Sequence, residues 1–165
     1  MRTSLPVTHL LRCAVCRKPF EFADGEAALV LRHVAYGYDF VHDGPCLAAA
    51  IEQLFPEPGY DCPAFGPDLE RRRVLGVTPA EGWIAVLANV AEPGAGRRVR
   101  SEPLRCWALV EHRDATMTME GLVRDQEWLD EPGGAEFPEA MRGPHRLIGY
   151  ASATSRSGQP EFLAA

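Results

Sequence analysis

The chain has 165 residues, 46% of them hydrophobic and 24% charged, with a formal net charge of −6 at pH 7. That length suits one domain or a small module joined to a second, and that apolar content fills a core and excludes a wholly disordered chain. The acidic excess is spread over both halves, so neither has the basic surplus of a protein held on nucleic acid by phosphate neutralisation.

No apolar run reaches the roughly 18 residues of a spanning helix; the longest, Trp83 to Ala91, is interrupted by Asn89. Residues 1–16 carry no sustained apolar stretch, so no signal peptide is expected and the expected compartment is the cytoplasm. Lys18 is the lone lysine beside sixteen arginines, a bias that fits GC-rich coding and says nothing of chemistry. Five cysteines are an odd number, and in a reducing compartment they are available as metal ligands rather than as a disulfide framework.

In chain order, residues 1–12 form a lead-in, and Cys13-Ala14-Val15-Cys16 runs into the turn-prone Arg17-Lys18-Pro19. Ala27 to Val34 is rich in strand formers, Tyr36-Gly37-Tyr38 offers a turn, and Asp39 to His42 returns as the second strand of a hairpin. Pro45 suits the first position of a helix. From Cys46 to Phe55 the spacing of Leu47, Ile51, Leu54 and Phe55 gives one apolar helical face, which Pro56 ends. Residues 57–75, rich in proline and glycine at the start, read as a linker. The runs Arg71-Arg72-Arg73 and Arg97, Arg98, Arg100 read as solvated segments flanking turns.

Residues 76–151 read as a small β-rich domain, with strands at Arg105 to Glu111, near Gly121 to Val123, and at Arg146 to Tyr150. One segment is ambiguous. Thr78-Pro79-Ala80-Glu81 matches a capping box and argues for a helix through Val90, whereas Trp83 to Leu87 is a continuous apolar run that suits a buried strand. Gly82 weakens the helix, and Pro93-Gly94-Ala95-Gly96 can turn a strand back towards Val99, so a strand is favoured. Asp125 to Glu139 is an acidic loop, and residues 152–165 form a small, polar, mobile tail.

The sharpest signal is Cys13-x2-Cys16, then twenty-five residues, then His42-x3-Cys46. Two thiolates three apart bind one ion from a tight knuckle whose amides point at the sulfurs, and a second pair at a helix start completes a tetrahedron. Cys46, in the first helical turn, gains from the helix dipole, which favours the thiolate. Residues 9–56 on this evidence resemble the treble-clef zinc fingers, a group that includes LIM, RING-like and FYVE-type modules. The resemblance implies a knuckle, a β-hairpin and a helix around one structural Zn2+ per chain, with Cys13 and Cys16 as the knuckle pair and His42 and Cys46 as the second. The sequence departs from the usual pattern in having H-x3-C where C-x2-C is commoner. The third ligand stays open: His42 leads, Cys62 in the linker and His9 are rivals.

The fold expected is α+β, an N-terminal treble-clef zinc module followed by a small, mainly antiparallel β-sheet or barrel. Four protein ligands leave no position for water, so no catalytic residue and no enzyme activity are expected. The acidic residues of 125–139 read as a solvated loop. Cys106, His112 and Asp114 suggest a nucleophile and base, but residues 106 and 112 of one strand stand about 20 Å apart. Gly94-Ala95-Gly96 lacks the remainder of a phosphate-binding motif. The expected role is therefore a non-enzymatic, zinc-stabilised recognition or adaptor protein with a protein partner. The alternatives are a nucleic-acid-binding zinc-finger regulator using Arg12, Arg17, Lys18 and Arg32, which net charge disfavours, and a zinc-dependent hydrolase with an open coordination position. No membrane association is expected.

Overall fold

The computed structural model describes residues 10–33, 37–54, 67–89, 99–124, 135–138, 145–152 and 162–164. Nine strands and one α-helix occur among them: β1 Ala28–His33, β2 Gly37–Val41, α1 Pro45–Leu54, β3 Pro67–Pro79, β4 Trp83–Asn89, β5 Val99–Glu111, β6 Met117–Arg124, β7 Ala135–Glu136, β8 His145–Ser152 and β9 Phe162–Ala164. Every pairing is antiparallel, in the order β2-β1-β3-β5-β4-β8-β9, with β6 and then β7 branching from β5.

This overturns the expected α+β fold class. The hairpin does form, with Leu29 opposite Val41 and Val30 opposite Phe40, but the free edge of β1 pairs with β3, and β3 pairs with β5. The chain is mainly antiparallel sheet. The physical reason is visible in β1: Val30 and Leu31 point to opposite faces, yet both are fully buried. A strand apolar on both faces needs cover above, below and alongside, which a free-standing hairpin does not supply.

Within the expected linker, residues 67–75 lie in β3, so the arginine run is a strand and not the flank of a turn. Arg72 pairs with Glu120 of β6 at 3.1 Å and lies over the ring of Phe137, and Arg73 pairs with Glu111 of β5. Arg72 and Arg73 thus each meet a carboxylate across the sheet, which lets charged residues occupy a strand.

The ambiguous segment is a strand. Ala80 and Gly82 turn the chain, with Trp83 N–H donating to Ala80 O and Gly82 at φ 77°, and β4 pairs with the first half of β5 through Ala88 opposite Val99. Strand β5 is the common member of two groups of strands. Its second half lies between β3 and β6, and alternate side chains Leu104, Cys106, Ala108 and Val110 are buried.

Two apolar clusters result. The larger joins Leu11, Cys13 and Phe20 to Val30, Leu31, Phe40 and Ala50, and then to Val74, Ala108, Val110, Leu122 and Phe137. The smaller gathers Ala85, Leu87, Leu104, Val123 and Tyr150, with Trp83, Trp107 and Leu147 packed against it. The acidic stretch is thus no simple loop: Ala135–Glu136 pairs with β6, and Phe137, fully buried, packs on Tyr38 and Phe40 of β2. Within the expected tail, Phe162–Ala164 pairs with β8. No helix among the described residues is long and apolar enough to cross a membrane.

Candidate metal centre

The first two cysteines sit on a knuckle spanning Arg12 to Pro19. Cys13 N–H donates to Lys18 O at 2.9 Å, Arg17 N–H to Cys13 O at 3.0 Å, and an isolated bridge joins Arg12 to Pro19. Arg17 takes the left-handed conformation, φ 63°, that closing so tight a turn requires. Arg12 braces the turn by donating from Nη1 to Arg17 O. Ala14 N–H donates to Phe40 O at 2.9 Å, which ties the knuckle to β2 just before His42.

The other two donors come from the end of that strand and the start of the helix. His42 follows β2 directly. Gly44, at φ 76°, turns the chain, and Ala48 N–H donating to Gly44 O opens α1 with Pro45 in its first turn. Cys46 follows. It packs against the core beside Leu47 and Ala50, while Ile51 is 42% exposed. Of the expected stripe, Leu47 packs against the core but Ile51 does not, and Ala50 and Cys46 lie on the buried side instead, with Cys46 turned to the knuckle. Phe55 lies outside the described residues.

The two cysteine pairs converge. The sulfurs of Cys13, Cys16 and Cys46 and a nitrogen of His42 all lie within 4.8 Å of one another, with Cys16 Sγ 3.3 Å from His42 Nδ1. Donors at the corners of a zinc tetrahedron lie roughly 3.3–3.8 Å apart, from bonds of about 2.3 Å to sulfur and about 2.0 Å to nitrogen. Three soft sulfurs and one imidazole gathered this closely fit a zinc ion in donor type and number. When bound, the ion would supply charge neutralisation and a cross-link between knuckle, hairpin and helix.

The electrostatics of the cluster are those of a site that needs a cation. Burial pushes the Cys13 thiol up, but the amides of Cys16, His42 and Val15 aimed at its sulfur outweigh that and bring it down to about 7. Cys46 goes the other way, to about 11, through burial and then the adjoining sulfurs of Cys16 and Cys13. Three thiolates do not share this space without positive charge among them.

Glu26 reaches His42 from outside, its Oε1 3.3 Å from Nε2, and Phe20 lies against the imidazole with ring centroids 4.4 Å apart. Neither residue is marked by the cysteine spacing. The only trace in the sequence is that Glu26 lies three before Leu29, which the hairpin register sets opposite Val41, the neighbour of His42.

Of the other candidates, Cys106 lies in β5, fully buried, its thiol pushed up to about 12 by that burial, and it is not part of the cluster. His9 and Cys62 lie outside the described residues. His112 and Asp114 belong to the β5–β6 turn: His112 Nε2 lies 2.7 Å from Thr118 Oγ1, and Asp114 accepts the amide and hydroxyl of Thr116, which hold its carboxyl low.

A mainly antiparallel β protein with a Cys3His cluster at one hairpin is the class that fold and site define. Searches of family models, of curated proteins and of solved structures find no match to this chain.

Proposed function

We propose that Cys13, Cys16, His42 and Cys46 hold one structural zinc ion per chain, and that the protein is a non-enzymatic recognition or adaptor protein with a protein partner. The observation that carries this reading is the set of four protein donors within 4.8 Å of one another. Four such ligands complete a tetrahedron and leave no place for a reacting water, whereas a hydrolytic zinc keeps one position open. The likeness to treble-clef fingers is confined to the order of knuckle, hairpin and helix about these four residues; it does not extend to the fold of the chain.

A protein partner is supported by the net charge of −6, which repels a polyanion. The second reading, a nucleic-acid-binding regulator, draws on Arg12, Arg17 and Lys18 around the knuckle. It is weakened because Arg12 braces the turn and because Glu21, Asp24 and Glu26 follow closely in sequence. Arg32 lies in β1, its side chain outside the described residues.

Native mass spectrometry of the purified protein tests the metal reading. One zinc per chain is expected in the wild type and none in Cys13→Ser or Cys46→Ser; a full equivalent in either variant overturns the assignment. The measured mass also separates zinc from iron, which thiolate sites accept as well. For the role, a labelled duplex titrated at rising salt decides between the two readings. Binding that weakens steeply with salt establishes the nucleic-acid reading, and no binding at low salt removes it.

A further inference from the structure

Glu26 has both carboxylate oxygens engaged. Oε2 accepts the Glu21 amide at 2.6 Å, while Oε1 faces His42 Nε2 at 3.3 Å. The opposite ring nitrogen, Nδ1, faces Cys16 Sγ within the ligand group. One side chain therefore links a loop amide to the far side of the imidazole, and Phe20 lies against the ring.

The geometry points to Glu26 as the positioning residue of the metal centre: its carboxylate holds the proton of His42 on Nε2 and thereby presents Nδ1 to the ion. This inference rests on the metal reading above and deepens it. A neutral imidazole carries one N–H, and whichever nitrogen keeps it is lost as a metal donor. An anionic acceptor at Nε2 fixes the hydrogen there and makes Nδ1 the donor.

Two details make the contact a device rather than a coincidence of neighbours. The acceptor is itself anchored by the Glu21 amide, so the carboxylate does not swing towards the thiolates. The hairpin register delivers it as well, because the pairing of Leu29 with Val41 brings the residues that lead into β1 beside those that leave β2. Glu26 is not a ligand; it stands behind the ring, outside the group of four.

The test uses the full chain in four forms: wild type, Glu26→Ala, His42→Cys and the double variant, with zinc affinity measured by chelator competition. Glu26→Ala is expected to weaken zinc about 10- to 100-fold in the wild-type background. In the His42→Cys background there is no ring to hold, so the same change leaves affinity unaltered or raises it by removing a negative charge near a thiolate. Nitrogen-15 spectra of His42 in the zinc-loaded wild type are expected to show Nε2 protonated and Nδ1 bound, a readout that needs no variant. An equal loss in both backgrounds, no loss in the wild-type background, or zinc on Nε2 overturns the inference. Wild type that takes up no zinc removes the metal reading and this inference together. Zinc binding that survives Glu26→Ala at full strength removes this inference alone.

Discussion

Gly121 shows how tightly single positions are set. A Cβ there would lie 2.6 Å from a ring carbon of Tyr150 and 2.7 Å from Leu104, and the Gly121 amide donates to Tyr150 Oη at 3.0 Å. Tyr150 in turn packs edge-on to Trp107, which packs on Trp83. Gly121→Ala therefore forces this aromatic group to move, and overpacking of that kind costs about 1–3 kcal/mol. Urea unfolding of the variant checks this, and stability within error of wild type would contradict it. The cysteines carry a second prediction. With Cys46 near 11 and Cys13 near 7 in the metal-free protein, zinc bound as proposed would displace the Cys46 proton throughout the neutral range. Affinity should rise roughly tenfold per pH unit for each proton released, with one further proton displaced below about pH 7, where Cys13 is protonated too. An indicator in weakly buffered solution reads the release directly, and pH-independent binding between 7 and 9 would refute it.

Among the elements, α1 and β7 make opposite demands on their side chains. Ala50 of α1 is 5% exposed and belongs to the larger cluster, whereas Ile51 is 42% exposed, so Ile51→Ser should change thermal stability little and Ala50→Leu should lower it. Phe137 follows a strand of two residues yet is fully buried between Tyr38, Phe40 and Arg72. Phe137→Ala should cost about 3–5 kcal/mol, measured by denaturant unfolding. These two elements also mark how far the sequence can be read. The grouping of the four Cys and His residues is legible because each pair is closely spaced and each flanking turn carries its own glycine or proline. The start of α1 is legible for the same reason, but its buried side is not. Periodicity ranks Ile51 above Ala50, while the position of the knuckle decides which of them faces inward. Phe137 is hidden by the acidic residues around it, and Arg72 and Arg73 look solvated until Glu120 and Glu111 are seen across the sheet. The strand at Trp83 is legible only through Gly82 and the turn that follows. What escapes the sequence is sheet pairing between distant strands, which no local pattern encodes.

At the scale of the whole molecule, the larger cluster carries the cysteine site and the sheet together. Leu11, Cys13, Phe20 and Ala50 pack in one group with Val110 and Leu122, and Arg105 of β5 donates to Leu10 O at 2.8 Å. Removing the metal should therefore not stop at the hairpin. Hydrogen exchange with and without a chelator is expected to show lost protection over residues 10–54 and also in β3 and the second half of β5, with β4 and β8, which line the smaller cluster, least affected. Loss confined to residues before 60 would contradict this. The chain order of these parts also bears on synthesis. All four metal-binding candidates lie between residues 13 and 46, more than fifty residues ahead of β5, which begins at Val99. In a growing polypeptide these four residues are made well before β5, whose side chains join the same cluster. On the zinc reading, ion capture is expected to precede sheet closure, so that metal supplied during translation should raise the yield of folded protein more than metal supplied after it.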